Sequence, residues 1–251
     1  MTNRGCGLKS LLVGGLVLGL AVVAVQPAAA QSTIFNIPTT DTVAPKKGYF
    51  EFDYLKQMPT PDAPASSWQI FTPRIVVGAG SKVEVGVNFA NTTYSEGGGT
   101  YSQIQPNIKV KFYSNDDAGV AAAAGVIYYG ALNYRDSTDD FGMVYGLISK
   151  KVKDGPRFHA GIYGSMSYGD DEQVGAILGY EQPLSSKVSF VADWFSGKNF
   201  WGYFTPGISV TLPHSGLLNV GYSIGNNAYN DDPGNDSHNK AFFIYYGITF
   251  P

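Results

Sequence analysis

The sequence holds a single cysteine, Cys6, and only three histidines, His159, His214 and His238. One cysteine cannot build a disulfide framework or a thiolate metal site. After residue 30 no apolar run approaches the roughly 18 residues that mark a transmembrane helix, so a helical membrane span is excluded there. Charged residues make up only 15% of the chain and the net charge is −3, which lacks the basic footprint of a nucleic-acid binder. Neither a zinc-protease HExxH nor a phosphate-cradling glycine loop occurs. What the chain does have is aromatic residues, at 14%, and 31 glycines.

Residues 1–30 have the make-up of an export signal: Arg4 and Lys9 give a basic start, "LLVGGLVLGLAVVAV" a short apolar stretch, and Ala28-Ala29-Ala30 a small-residue cleavage site. Cys6 precedes the apolar stretch and leaves with it. Residues 31–46, "QSTIFNIPTTDTVAPK", form an amino-terminal segment assigned to the periplasm, and residues 47–251 carry the repeated pattern that follows.

That pattern is alternation with period two. In "KVEVGVNF" Val83, Val85, Val87 and Phe89 share one face against Lys82, Glu84, Gly86 and Asn88, and "SQIQPNIKVKF" repeats the arrangement. Twelve strands are expected, near 47–57, 68–78, 82–92, 101–114, 118–130, 141–152, 157–168, 172–183, 186–196, 200–212, 216–226 and 239–250. Most are longer than the usual soluble strand of about 5 or 6 residues and match what a tilted strand needs to cross hydrocarbon. "GAGS", "NDDA", "KDGP", "PLSS" and "PHSG" follow the even-numbered strands, whereas most odd-numbered strands lead into longer polar loops. Short periplasmic turns, longer extracellular loops and an even strand count predict an all-β fold, a single transmembrane antiparallel up-and-down β-barrel of about twelve strands. Pro73, Pro106 and Pro206 fall within strands, where bulges or local shear are expected.

The last strand, "KAFFIYYGITFP", resembles the carboxy-terminal signature of bacterial outer-membrane β-barrel proteins, with Ile244, Tyr246, Ile248 and Phe250 in alternation and Pro251 after the aromatic on which such proteins end. The stretches "FTPRIVVGAGSKVEVGVN" and "DWFSGKNFWGYFTPG" are similar to those of uncharacterised barrels often labelled transporters. The resemblance implies a Gram-negative outer-membrane location, reached after signal cleavage. It also implies lipid and lipopolysaccharide as surroundings, and recognition of the terminal strand by the barrel assembly machinery.

The alternation turns Glu51, Asp53, Arg74, Glu84, Asn88, Gln105, Asn107, Lys109, Lys111, His159, Glu181 and Asp193 inward as a charged lumen lining. Arg74, Glu84 and Lys109, on consecutive strands, are expected to form an ion-pair network. Tyr49, Tyr129, Tyr163, Phe195, Tyr203, Phe243 and Tyr245 also face inward, as packing or as a wall for a sugar or aromatic solute. The leading expectation is a porin or passive transporter passing small polar solutes through a narrow charged lumen, with no catalytic residues, no cofactor, no metal and no nucleic-acid partner. A structural or surface-interaction barrel with a plugged lumen is the alternative. A lipid-active enzyme, pairing His159 with Ser165 or Ser167, is a third. In the loops, Asp231, Asp232 and Asp236 offer oxygen ligands for a divalent ion bridging to lipopolysaccharide, without EF-hand spacing. Deleting Phe250 and Pro251 together should lower the yield of heat-modifiable, membrane-inserted protein; unchanged yield would remove the terminal signature from the argument.

Overall fold

The computed structural model describes residues 32–58, 67–95, 99–136, 138–166, 173–197, 199–226 and 240–251. Twelve antiparallel strands close into one barrel: β1 (Gly48–Gln57), β2 (Trp68–Gly78), β3 (Val83–Tyr94), β4 (Thr100–Asn115), β5 (Val120–Ala131), β6 (Phe141–Lys151), β7 (Arg157–Met166), β8 (Val174–Pro183), β9 (Val188–Phe195), β10 (Tyr203–Leu212), β11 (Gly216–Gly225) and β12 (Lys240–Phe250). Each strand pairs with its sequence neighbours, and β1 meets β12 from Gly48↔Phe250 to Gln57↔Ala241, so no edge is left open. Closure matters because hydrocarbon offers no partner for a free N–H or C=O.

The two faces follow the sequence alternation. Phe52, Ile75, Val85, Phe89, Ile108, Val144, Ile162, Leu178, Phe204, Ile208, Phe242 and Tyr246 are large apolar side chains exposed on the outside. An apolar exterior of this extent around a closed sheet is suited to lipid and not to water. The terminal-signature residues lie on that face: Phe250 and Tyr246 are exposed, and Ile244 and Ile248 half-exposed. The tight connections 79–82, 116–119, 152–156, 184–187 and 213–215 sit at one rim, with the start of β1 at Gly48 and the end of β12 at Phe250. Left-handed backbone at Asp154, His214 and Ser215 closes two of these turns, so His214 is a turn residue.

The prolines do not bulge the sheet. Around Pro73, Pro106 and Pro206 the pairing lapses on one side only, between Phe71↔Asn91 and Arg74↔Asn88, Ile104↔Gly130 and Asn107↔Ile127, and Phe204↔Ile224 and Gly207↔Gly221, and resumes in the same register. The other side keeps its partners Phe52, Val87 and Ala192. A missing N–H costs a local ladder bond without demanding an extra residue. In the β4–β5 pairing the register shift falls between Lys111 and Tyr113 instead.

Before β1 the chain turns back into the barrel. Pro45 bridges Gly78, Lys46 adopts φ 62°, and Thr33 bridges Pro38 in a tight hairpin. Sequence reading assigns residues 31–46 to the periplasm; the structure encloses most of that stretch, with Ile34, Ile37, Thr39 and Thr40 fully buried. A twelve-stranded circumference leaves central space that its own side chains do not fill. Val85→Arg should destabilise the inserted barrel by about 2–4 kcal/mol if Val85 lies near the bilayer midplane, whereas Val85→Leu should be near neutral; equal urea midpoints in vesicles would show that this face does not meet lipid.

Candidate functional site

The enclosed segment is held mainly by polar contacts from the wall. Asp193 on β9 accepts backbone N–H bonds from Phe35 (2.9 Å), Asn36 (2.6 Å) and Ile37 (3.0 Å), so one carboxylate satisfies the hairpin's tip. Asn36 also donates to Thr205 (2.8 Å), and Asn219 donates to the Ile34 carbonyl (3.1 Å). Nearer the short-turn rim, Arg157 grips both oxygens of Asp41 (2.6 and 3.0 Å), and Thr40 and Ser149 share a hydroxyl bond (2.6 Å). Glu84 accepts from the Val43 N–H (2.8 Å) and the Ser32 hydroxyl (2.5 Å).

Apolar contact completes the seat, and glycine makes it possible. A Cβ on Gly221 would lie 2.6 Å from the Phe35 ring, and one on Gly179 would lie 2.5 Å from Ile37 Cδ1. These bare positions on β11 and β8 form a recess into which Phe35 and Ile37 fit, joining a core of Met143, Leu147, Tyr163, Ile177 and Phe195. The side of the lumen from β5 round to β12 is therefore packed.

The β1–β4 half is polar and charged. Lys109 pairs with Glu84 at 2.9 Å, as expected, but Arg74 turns to β1, meeting Glu51 at 2.7 Å and Asp53 at 3.8 Å. The expected three-residue network is thus two separate clusters, because Glu51 is Arg74's direct cross-strand neighbour and Glu84 is committed to Lys109 and Ser32. Lys111 lies 3.9 Å from Asp41; across the lumen, on β7 and β8, His159 meets Glu181 at 2.7 Å, with Arg157 3.6 Å from the same carboxylate. Asn88, Gln105, Gln103 and Asn107 line β3 and β4, and Gln105 Nε2 donates to Gln103 Oε1 at 3.2 Å. Between this wall and the plug lies a cavity of about 540 Å³, floored by Ser32, Thr33, Phe35 and Asn36 and reaching the long-loop ends of the strands at Trp68, Tyr101 and Tyr203. Among the described residues it forms a vestibule stopped at the short-turn side by the chain's own amino-terminal segment.

Comparison with solved structures supports the architecture. The chain superposes on the COG4313 outer membrane channel from Pseudomonas putida F1 with a TM-score of 0.50 at 12% identity, covering 88% of this chain and 99% of that one. This chain has the fold of an outer-membrane barrel. Outer membrane phospholipase A from Escherichia coli is also similar, at a TM-score of 0.48 and 11% identity, with 82% and 93% covered. No family model and no curated protein matches the chain.

Sequence reasoning left two features unassigned. The plug had a signal: Asp193 is cross-strand neighbour to Gly179 and Thr205, so its inward carboxylate has no cation beside it on the wall and needs a partner from elsewhere. The second is "GYSIG", Gly221 to Gly225, which has the GxSxG spacing. It lies within β11, not on a strand-to-helix turn, and Ser223 is buried against Thr205 at 2.8 Å, so the nucleophile-elbow context is missing. His159 and Ser165 are on one strand, six positions and about 20 Å apart. Ser167, His238, Asp231, Asp232 and Asp236 lie outside the described residues.

Burial alone would raise the Asp41 carboxyl, but Arg157, with Lys111 and Lys109, holds it below its ordinary 3.8. A folded value below the unfolded one means that this latch is fully present above 3.8 and is lost as pH falls through the lower folded value. Hydrogen exchange at Val43 should therefore be as slow at pH 5 as at pH 7, after correction for intrinsic rates, and rise only below the ordinary carboxylate range. A rise between pH 7 and 5 would show that Asp41 is not the latch.

Proposed function

We propose that the protein is an outer-membrane channel for small hydrophilic solutes, kept closed by its own amino-terminal segment. The observation that carries this reading is the vestibule, walled on one side by paired charges and amides, whose floor is residues 32–38 of the same chain. A structural barrel could fill its lumen with wall side chains; here the filling is a separable segment, seated on glycines and held by hydrogen bonds that water can replace. The similar fold of the Pseudomonas putida channel lends further support. In this reading residues 1–30 export the chain and are removed, and the assembly machinery reads the outward Ile244, Tyr246, Ile248 and Phe250. Membrane lipid, and lipopolysaccharide on the long-loop side, surround the exterior. The reading needs no catalytic residue and no cofactor.

A permanently plugged structural barrel is the second reading, favoured by the burial of Ile34, Phe35 and Ile37 in the same core as Phe195 and Phe243. Planar-bilayer recording separates the two. The wild-type chain should give rare or no current steps, and deletion of residues 32–43 should give frequent ohmic ones. Asp193→Ala, which removes the acceptor for three backbone N–H groups, should raise the open fraction short of the deletion. A folded, heat-modifiable deletion protein that carries no current would favour the structural barrel.

A further inference from the structure

We infer that the vestibule is a binding site for a neutral polyhydroxylated solute of mono- or disaccharide size. The inference rests on the channel reading and gives it a substrate class. At about 540 Å³ the cavity falls within the usual range for small-molecule sites, about 300 to 1,000 Å³.

Charge argues first for a neutral ligand. Arg74 faces two acids, Glu51 and Asp53, and Glu84 is matched by Lys109, so the lining presents no uncompensated cation for an anionic solute. The one acid in excess is buried beside Arg74, where a cation's claim on it is what the spermidine probe below tests. Two atoms of the Arg74 cluster, Asp53 Oδ1 and Arg74 Nε, are buried without a partner. One accepts and the other donates. A hydroxyl can do both, which a carboxylate or an ammonium cannot.

The next wall is a chain of amides running from depth to mouth. Asn107 donates to Asn88 (3.4 Å), Asn88 to Gln105 (3.2 Å), Gln105 to Gln103 (3.2 Å), and Gln103 to the Tyr101 hydroxyl (2.9 Å). The chain fixes each amide's orientation, and each amide has further hydrogen-bonding capacity for an entering hydroxyl. Preorganised amides present acceptors and donors alternately along one wall, matching a molecule with a hydroxyl on nearly every carbon.

Beside the amides stands an aromatic cluster. Tyr129 and Phe141 stack at 4.5 Å and 8°, and Trp201 meets both edge-on at 5.8 Å, its indole N–H bonded to the Tyr129 hydroxyl (3.1 Å). A planar heterocycle binds best in a slot between parallel rings, and here the two parallel rings already fill each other's slot. A pyranose needs only one apolar surface for its C–H face, with hydrogen bonds at its rim. The juxtaposition of amide chain and aromatic cluster supplies both.

The test is calorimetric titration of the full-length protein, refolded in detergent, with four probes: maltose, the aldonate lactobionate, the polycation spermidine, and caffeine as a planar ring system without hydroxyls. Maltose should bind saturably and the others should not. Gln105→Ala and Trp201→Phe should each weaken maltose about tenfold, the scale of one lost hydrogen bond or ring contact. Heat-modifiable mobility reports folding of each variant, and if Gln105→Ala does not fold, Trp201→Phe carries the comparison. Absence of saturable maltose binding, equal or tighter binding of any other probe, or folded variants with unchanged affinity would overturn the assignment. Because binding is read without current, failure here alongside a conducting deletion protein removes the polyol alone, while binding in a protein that never conducts removes the channel alone.

Discussion

Closure governs this molecule. A chain that must satisfy every backbone N–H and C=O inside hydrocarbon can do so with strands only if the last meets the first, and the β1–β12 seam does this over ten residue pairs. Once twelve strands close, the circumference sets a lumen wider than an eight-stranded barrel, whose own side chains would fill it, and narrower than an aqueous porin. Exterior composition, interior charge and the fate of the amino-terminal segment all follow from that intermediate width.

The lumen meets the width in two ways. From β5 round to β12 large apolar side chains and the plug's Ile34, Phe35 and Ile37 make a packed half, whose few charges are bonded to the plug or to one another. From β1 to β4 paired charges and amides make a half that tolerates water. The glycines at 179 and 221 belong to the first half, where a side chain would have occupied the place of Phe35 or Ile37. Removal of a Cβ at those positions creates a docking surface as surely as an added side chain would.

Strands and faces were legible because lipid outside and polar groups inside impose a period of two on every strand; Val83 to Phe89 and Gln103 to Lys111 could hardly be read another way. Strand ends moved by a few residues, as at β10, which begins at Tyr203 and not near 200. Pairing partners were harder. Alternation says that Arg74 points inward, but not whether it leans toward Glu51 or Glu84, since both are acids on adjacent strands and only the commitment of Glu84 to Lys109 decides. Whether the lumen is plugged, and by which segment, stayed open in the sequence because residues 32–43 have neither strand nor helix periodicity; their conformation is dictated by the cavity they enter. The prolines misled for a related reason: a missing donor was read as a demand for an extra residue, when the sheet simply forgoes one local stretch of pairing.

The link between plug and wall is short. Val43 is buried inside, Lys46 reverses the chain, and β1 begins at Gly48. A stopper on so short a tether cannot be diluted away or displaced to another barrel, and its effective concentration at its own seat is set by chain geometry, in the millimolar range or above for a short linker. Occupancy of the seat is consequently a property of each molecule, the same in a sparse membrane as in a crowded one.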